Sequence, residues 1–277
     1  MKKYIIKADG KKEPYDEQKI NSSFIKAGAS PEIATEATGI INKKVKDNMS
    51  TDEIYHKALG HLRVLEPGVA LKYSLKRAIM DMGPEGFAFE KYIAKILREY
   101  GFSTEVGQIL NGYCIEHEVD VVAKKEDKIC LIECKYHNSP GIKSDVKTAL
   151  YIHSRFLDIE KASREKDNNN HISFEAWLVT NTKCTSDAIK YANCVGLKIL
   201  AWYYPKVENL QYFIETKKLY PISILSTINE KQKEILFDSD IILIKELYSY
   251  GTDNLAKLMS VSQPQALKIL NEASILL

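Results

Sequence analysis

The stretch EHEVDVVAKKEDKICLIECKYH, residues 116–137, decides the fold. It reads as two apolar β-strands joined by a charged turn. Yet each strand carries ionisable groups where a buried strand stays apolar: Asp120 inside VDVV, and Glu133 and Lys135 at the end of ICLIECK. Strand side chains alternate, so Ile129, Leu131, Glu133 and Lys135 share one face, and Cys130, Ile132 and Cys134 the other. A tight turn centred on Glu126-Asp127 pairs Lys125 with Lys128, and Asp120 then lies opposite Glu133 with β-carbons about 5 Å apart. Two carboxylates that close repel unless a cation sits between them. Hard oxygens suit magnesium (or manganese), which keeps several waters, and one such water is a ready nucleophile for phosphodiester hydrolysis. Lys135 would stabilise the phosphorane charge or orient that water. The alternative is a structural ion pair in which Lys135 neutralises Glu133. Three charged groups converging on one strand end weigh against it, because burying them without a purpose is costly.

Working outward, FEKYIAKILREY is helical, with Phe89, Ile93, Ile96 and Tyr100 on one face and Gly101 as its stop. Glu90 falls on the flank of that apolar face, near Ala94 and Leu97, and so is a fourth candidate. After the hairpin come a helix from Ser144 to about Ser163, a polar loop KDNNNH, the strand FEAWLVTN, a helix from Thr185 to Val195 and the strand LKILAWYY. The later strands are apolar on both faces, as in a sheet covered by helices on each side. Residues 84–205 therefore form an α/β domain.

Residues 1–83 open with a short strand, a turn at Asp9-Gly10 and a second extended piece. Amphipathic helices follow near 16–28, 31–47, 51–65 and 67–81, their starts signalled by Asp16, Ser30-Pro31 and Ser50 with Glu53. Residues 206–277 look all-helical, and Ser262 to Gln265 reads as a capping box for the last helix. The chain has 277 residues, 45% hydrophobic and 27% charged, with a net charge of +2, which excludes a uniformly basic nucleic-acid binder. Five cysteines without a CxxC pair argue against zinc or a disulfide framework. No run of apolar residues is long enough to span a membrane and the N-terminus lacks a signal-like core, so a cytoplasmic protein with no membrane partner is expected.

Two resemblances follow from these residues. Phe89-Glu90, Val119-Asp120, Glu133-Cys134-Lys135 as an E-x-K, and then AWLVTNTKCTSDAIKYANCVGLKILAW resemble the restriction-endonuclease-like nucleases with the PD-(D/E)XK motif, within them the Mrr type. The likeness covers 84–205. It implies a restriction-endonuclease-like mixed sheet flanked by helices, a Mg-dependent DNA endonuclease, Glu90, Asp120, Glu133 and Lys135 as catalytic residues, and a metal held by Asp120, Glu133 and the Cys134 backbone carbonyl. The sequence departs from the pattern at His117-Glu118-Val119-Asp120, where a glycine-rich approach to the aspartate is usual, which bears on the substrate geometry near Gly112. The following helix also lacks the family's glutamine, for which Lys147 or His153 are the nearest substitutes. Lys7, Asp9-Gly10, Glu13, Lys19-Ile20, Thr51 and KYSLKRAI resemble the ATP-cone, over 1–83. That implies ATP or dATP as effector: Lys7 and Lys19 on phosphates, Ile5 on the base, Glu13 and Thr51 on the nucleoside. No G-x-x-x-x-G-K-[ST] occurs, so hydrolysis by a P-loop is not expected. Residues 206–277 resemble helix-hairpin-helix modules, with Asp238-Ser239-Asp240 in place of the hairpin glycine, and packing or oligomerisation is an equal alternative. The expected function is a DNA endonuclease regulated by an adenine nucleotide and acting as a homo-oligomer, dimer or tetramer. The alternatives are a structure-specific resolvase or repair nuclease, or a nucleotide-sensing DNA-binding regulator.

Overall fold

A computed structural model of the chain describes residues 3–166 and 172–277, so all but the first residue of the expected loop KDNNNH lie outside the described residues. The chain packs as two units. One comprises residues 1–79, 222–235 and 244–277, the other residues 80–221 and 236–243. The last helices thus group by packing mainly with the N-terminal block.

The first unit begins with β1 (Tyr4–Ile6) and β2 (Lys12–Pro14), antiparallel around the turn at Gly10 (φ 78°). After α1 (Glu17–Lys26) and α2 (Pro31–Lys44), β3 (Met49–Ser50) returns parallel to β1, and α3 (Thr51–Leu65) and α4 (Pro67–Met80) follow. The helix starts are where the capping residues put them. Asp16 accepts from the Gln18 N–H and Ser30 from the Ile33 N–H, while Ser50 and Glu53 form a reciprocal capping box.

The second unit begins with α5 (Phe87–Glu99), whose apolar face buries Phe89, Tyr92, Ile93, Ile96 and Leu97 and which ends at Gly101 (φ 85°). Three antiparallel strands follow, β4 (Ser103–Asn111), β5 (Glu116–Lys125) and β6 (Lys128–Lys135). The chain then continues through a two-residue β7 (Lys143–Ser144), α6 (Val146–Lys166), β8 (Ser173–Thr180), β9 (Lys183–Cys184), α7 (Ser186–Val195), β10 (Lys198–Ala201) and α8 (Leu210–Thr216). β6, β8 and β10 are parallel, each joined to the next through a helix, as parallel pairing requires. The sheet order is β10-β8-β6-β5-β4, a five-stranded mixed sheet. Its central strand β6 is buried on both faces from Cys130 to Cys134, hence the apolar run Cys130-Leu131-Ile132 that only Glu133 interrupts.

The chain closes with α9 (Glu230–Asp238), α10 (Ile244–Ser249), α11 (Gly251–Met259) and α12 (Gln263–Ser274). Residues 236–243 join the second unit partly because Lys95, 8% exposed, bonds both the carboxylate (2.9 Å) and the carbonyl (2.8 Å) of Asp240. Ser262 precedes α12 but makes no side-chain cap bond, so the capping box read there does not form. No helix among the described residues is long and apolar enough to cross a membrane.

Candidate active site

The β5–β6 hairpin carries the expected register. Five pairs run from Val121↔Ile132 to Lys125↔Lys128, around a tight turn with Glu126 at φ 52°. The ladder stops one pair short of Asp120 and Glu133. On its other side β5 pairs with β4 except at Asp120, opposite Gly107 (φ 63°). Val119 clusters with Val122, Leu131 and Ile159. The β4–β5 register is the same on both sides of this gap, Val106↔Val121 and Gln108↔Val119, so no residue is inserted and the ladder is only interrupted at Asp120. Oδ2 of Asp120 takes the Cys134 N–H at 2.6 Å, the donor left over where the strand backbone ceases to pair. In an extended strand a residue's N–H and C=O point to the same edge, so the Cys134 carbonyl faces this opening too.

Glu133 stands on the neighbouring strand, 8% exposed. Its Oε1 accepts from Lys135 Nζ at 2.7 Å and its Oε2 from Arg155 Nη1 at 2.7 Å. Glu90, in the first turn of α5, completes the group. Burial and then the Asp120 charge push its carboxyl up to about 7, with Glu118 and Glu133 adding to the rise. Burial and then Glu133 push Asp120 up to about 6, against the lowering effect of the Cys134 N–H. The four residues singled out in the sequence thus act on one another electrostatically at the open end of β5 and β6. Arg155 was missed. Its signal was a charge on the stripe Ile152-Phe156-Ile159, three residues after the first and four before the last. Lys147 is exposed and His153 bonds the Tyr191 hydroxyl at 2.8 Å, so neither fills that place.

The Thr-Asn that ends β8 fixes the far side of the site. The Thr180 hydroxyl donates to the Lys135 carbonyl at 2.7 Å. The Asn181 side chain accepts from the His137 N–H at 3.0 Å and donates to the His137 carbonyl at 2.8 Å. Both residues are fully buried. Asn181→Ala should therefore destabilise the second unit by about 2–4 kcal/mol, since it strips two backbone groups of their partners. Both tryptophans, Trp177 and Trp202, lie in this unit, so denaturant titration followed by tryptophan fluorescence reads it. An unchanged midpoint would rule out the clamp.

In the first unit, Glu13 lies between Lys7 (3.0 Å) and Lys19 (3.4 Å), and its bond to Lys7 lowers its carboxyl from the usual range. Thr51 opens α3 directly after its cap. Ile5 is buried in the core with Phe24 and Ile41, while Tyr4 and Ile6 hold the exposed face of β1.

This is an α/β unit with an acidic cluster at the end of its sheet, joined to an ATP-cone: the ATP cone domain family matches residues 3–82. A second family, described as AF1548-like, C-terminal, matches residues 220–277. An uncharacterised protein of Archaeoglobus fulgidus is 36% identical over 181 residues, 65% of this chain and 97% of that protein. The crystal structure of AF1548, a protein of unknown function, superposes with a TM-score of 0.58 at 34% identity, covering 69% of this chain and 97% of that one. The chain belongs to the AF1548-like family. A repair endonuclease from Pyrococcus abyssi gives a TM-score of only 0.31 at 18% identity over 42% of this chain and 46% of its own, too slight to carry an argument.

Proposed function

We propose that the chain is a magnesium-dependent DNA endonuclease of the restriction-endonuclease-like, Mrr-type class, with its nuclease domain in residues 84–205. The observation that carries this reading is the gathering of Glu90, Asp120, Glu133 and Lys135 where the β5–β6 ladder opens. The residues fit a hard divalent ion. Two carboxylates and the Cys134 carbonyl border one opening, and the carboxyls of Asp120 and Glu90 are raised by burial and then by neighbouring carboxylates, a repulsion that a cation there would offset. Among the described residues no three side chains of metal-ligating type cluster tightly enough to form a cage, and magnesium, which keeps several waters, needs none. Bound there, it would polarise the scissile phosphate and lower the pKa of the attacking water. With its carboxyl raised to about 7, Glu90 in its ionised form is a base matched to neutral pH, able to orient that water and receive its proton. Lys135, once free of Glu133, sets its ammonium toward the phosphorane oxygens. A polyanionic substrate is further supported by Lys143 and Lys183. These are exposed register partners on β7 and β9, side by side at some electrostatic cost unless a phosphate lies against them. Incubating the protein with supercoiled plasmid, with and without magnesium, tests the reading. No nicking in any divalent cation would overturn it.

Residues 3–82 are the regulatory part in this reading, taking ATP or dATP as an effector. Lys7 and Lys19 are already gathered on one carboxylate, Glu13, so a triphosphate would find two cations prearranged and would compete with Glu13 for them. One nuclease centre per chain cannot cut both strands in one encounter, so the nucleotide acts through assembly into a dimer or tetramer. An effector shifts such an equilibrium only by its differential affinity for the two states. Calorimetry should show ATP or dATP binding to wild type and at least about tenfold weaker binding to Lys7→Ala with Lys19→Ala, ~1.4 kcal/mol. Light scattering should show a nucleotide-dependent change of mass. Absence of binding at millimolar nucleotide would remove the regulatory reading and leave the nuclease one standing.

A further inference from the structure

We propose that Arg155 is a positioning residue of the metal site, holding Oε2 of Glu133 so that Oε1 alone is offered to the cation. The inference rests on the nuclease reading and assigns the two oxygens of its central carboxylate. They differ in what surrounds them. The Arg155 side chain is 15% exposed and comes from α6, anchored among Ile152, Phe156 and Ile159, with its guanidinium 5.1 Å from the Tyr151 ring centre. The Lys135 side chain, on Oε1, is 35% exposed. Beside Arg155 and Glu133 lies a cavity of about 20 Å³ walled by Val119, Leu131 and Phe156. That is room for about one water and none for an ion that keeps several. A hydrated cation therefore meets Glu133 from the Lys135 side, where Asp120 and the Cys134 edge also stand. A guanidinium bond to the non-ligating oxygen fixes the carboxylate's rotation, as outer partners of metal ligands do. It also explains how Glu133 stays buried without a cation: each of its oxygens already has a charged donor.

The test is Mn2+ binding by calorimetry to the full-length protein, without DNA, for wild type, Arg155→Gln and Arg155→Lys. Arg155→Gln should bind Mn2+ about 10–100-fold more weakly, and Arg155→Lys, which keeps one donor, should recover part of the loss. A purely structural ion pair would lower the denaturation midpoint while leaving the folded protein's Mn2+ affinity alone. Mn2+ affinities within twofold of wild type in both variants would therefore overturn the inference while leaving the nuclease reading intact. If Arg155→Gln does not fold, Arg155→Lys decides, with a several-fold loss expected and wild-type affinity the overturning result. A wild-type protein that binds no Mn2+ would overturn the inference and the nuclease reading together.

Discussion

Asp120→Ala, Glu133→Ala and Lys135→Ala should each cut plasmid cleavage at least about a thousand-fold, ~4 kcal/mol of transition-state stabilisation. The three losses have different physical origins. Without Asp120 the cation would lose one of its two carboxylate ligands and the Cys134 N–H loses its acceptor. Glu133→Ala removes the other carboxylate and leaves Arg155 and Lys135 without the anion that each bonds at 2.7 Å. Lys135→Ala keeps both carboxylates, so Mn2+ should still bind while turnover is lost, which separates charge stabilisation from cation binding. Folding should survive in all three, because the helix-covered core from Cys130 to Ile132 does not depend on them. Circular dichroism and tryptophan emission check that point. Plasmid cleavage by Glu133→Ala at a rate near wild type would sink the assignment of the site, whatever else the protein does to DNA.

The hairpin was legible because period-two alternation and a charged two-residue turn leave little freedom in register, and all five observed pairs follow it. Helix starts were legible where a short polar side chain meets a free N–H, as at Asp16, Ser30 and Ser50. At Ser262 the same local pattern failed, since α12 begins there without a side-chain bond. β4 was not read as a strand. STEVGQILN is an edge strand with a positive-φ glycine, Gly107, in its middle, and its alternate residues are only half-buried. LKILAWYY pairs only over Lys198–Ala201, because the sheet ends there and Trp202 onward turns away. The interruption of the ladder at Asp120 and the reach of Arg155 depend on what β4 and α6 present across the sheet, and no local pattern encodes that. The grouping of residues 222–235 and 244–277 with the N-terminal block is a long-range matter of the same kind.

Raising the pH from about 4 to 8 without divalent cation should weaken the second unit by about 3 kcal/mol, and saturating magnesium should cancel most of that loss. Glu90 and Asp120 have folded-state carboxyls raised to about 7 and about 6, against roughly 4 in an unfolded chain. Between those values the folded protein binds more protons than the unfolded one, so stability falls as pH rises. The contribution is fully present below about pH 4 and is gone above about pH 7. Solvent reaches both groups, which is why the figure is set well below the full sum of the shifts. Asp158 acts in the opposite sense. Its bond to His117, with the N–H groups of Cys114 and Ile115 adding to it, holds its carboxyl at about 2, so its stabilisation is present above about pH 4 and lost as pH falls through 2. The cation-free unit should therefore be most stable near pH 4–5. Denaturant titrations followed by tryptophan fluorescence at pH 4.5, 6 and 8 measure the slope. Asp120→Asn and Glu90→Gln should each flatten it and raise stability at pH 8 by about 1 kcal/mol while abolishing cleavage, the trade expected where a site stores charge for a cation. A stability that rises from pH 4.5 to 8 in the absence of cation would show that Glu90 and Asp120 do not hold these protons, and would remove the crowding of carboxylates on which the metal site depends.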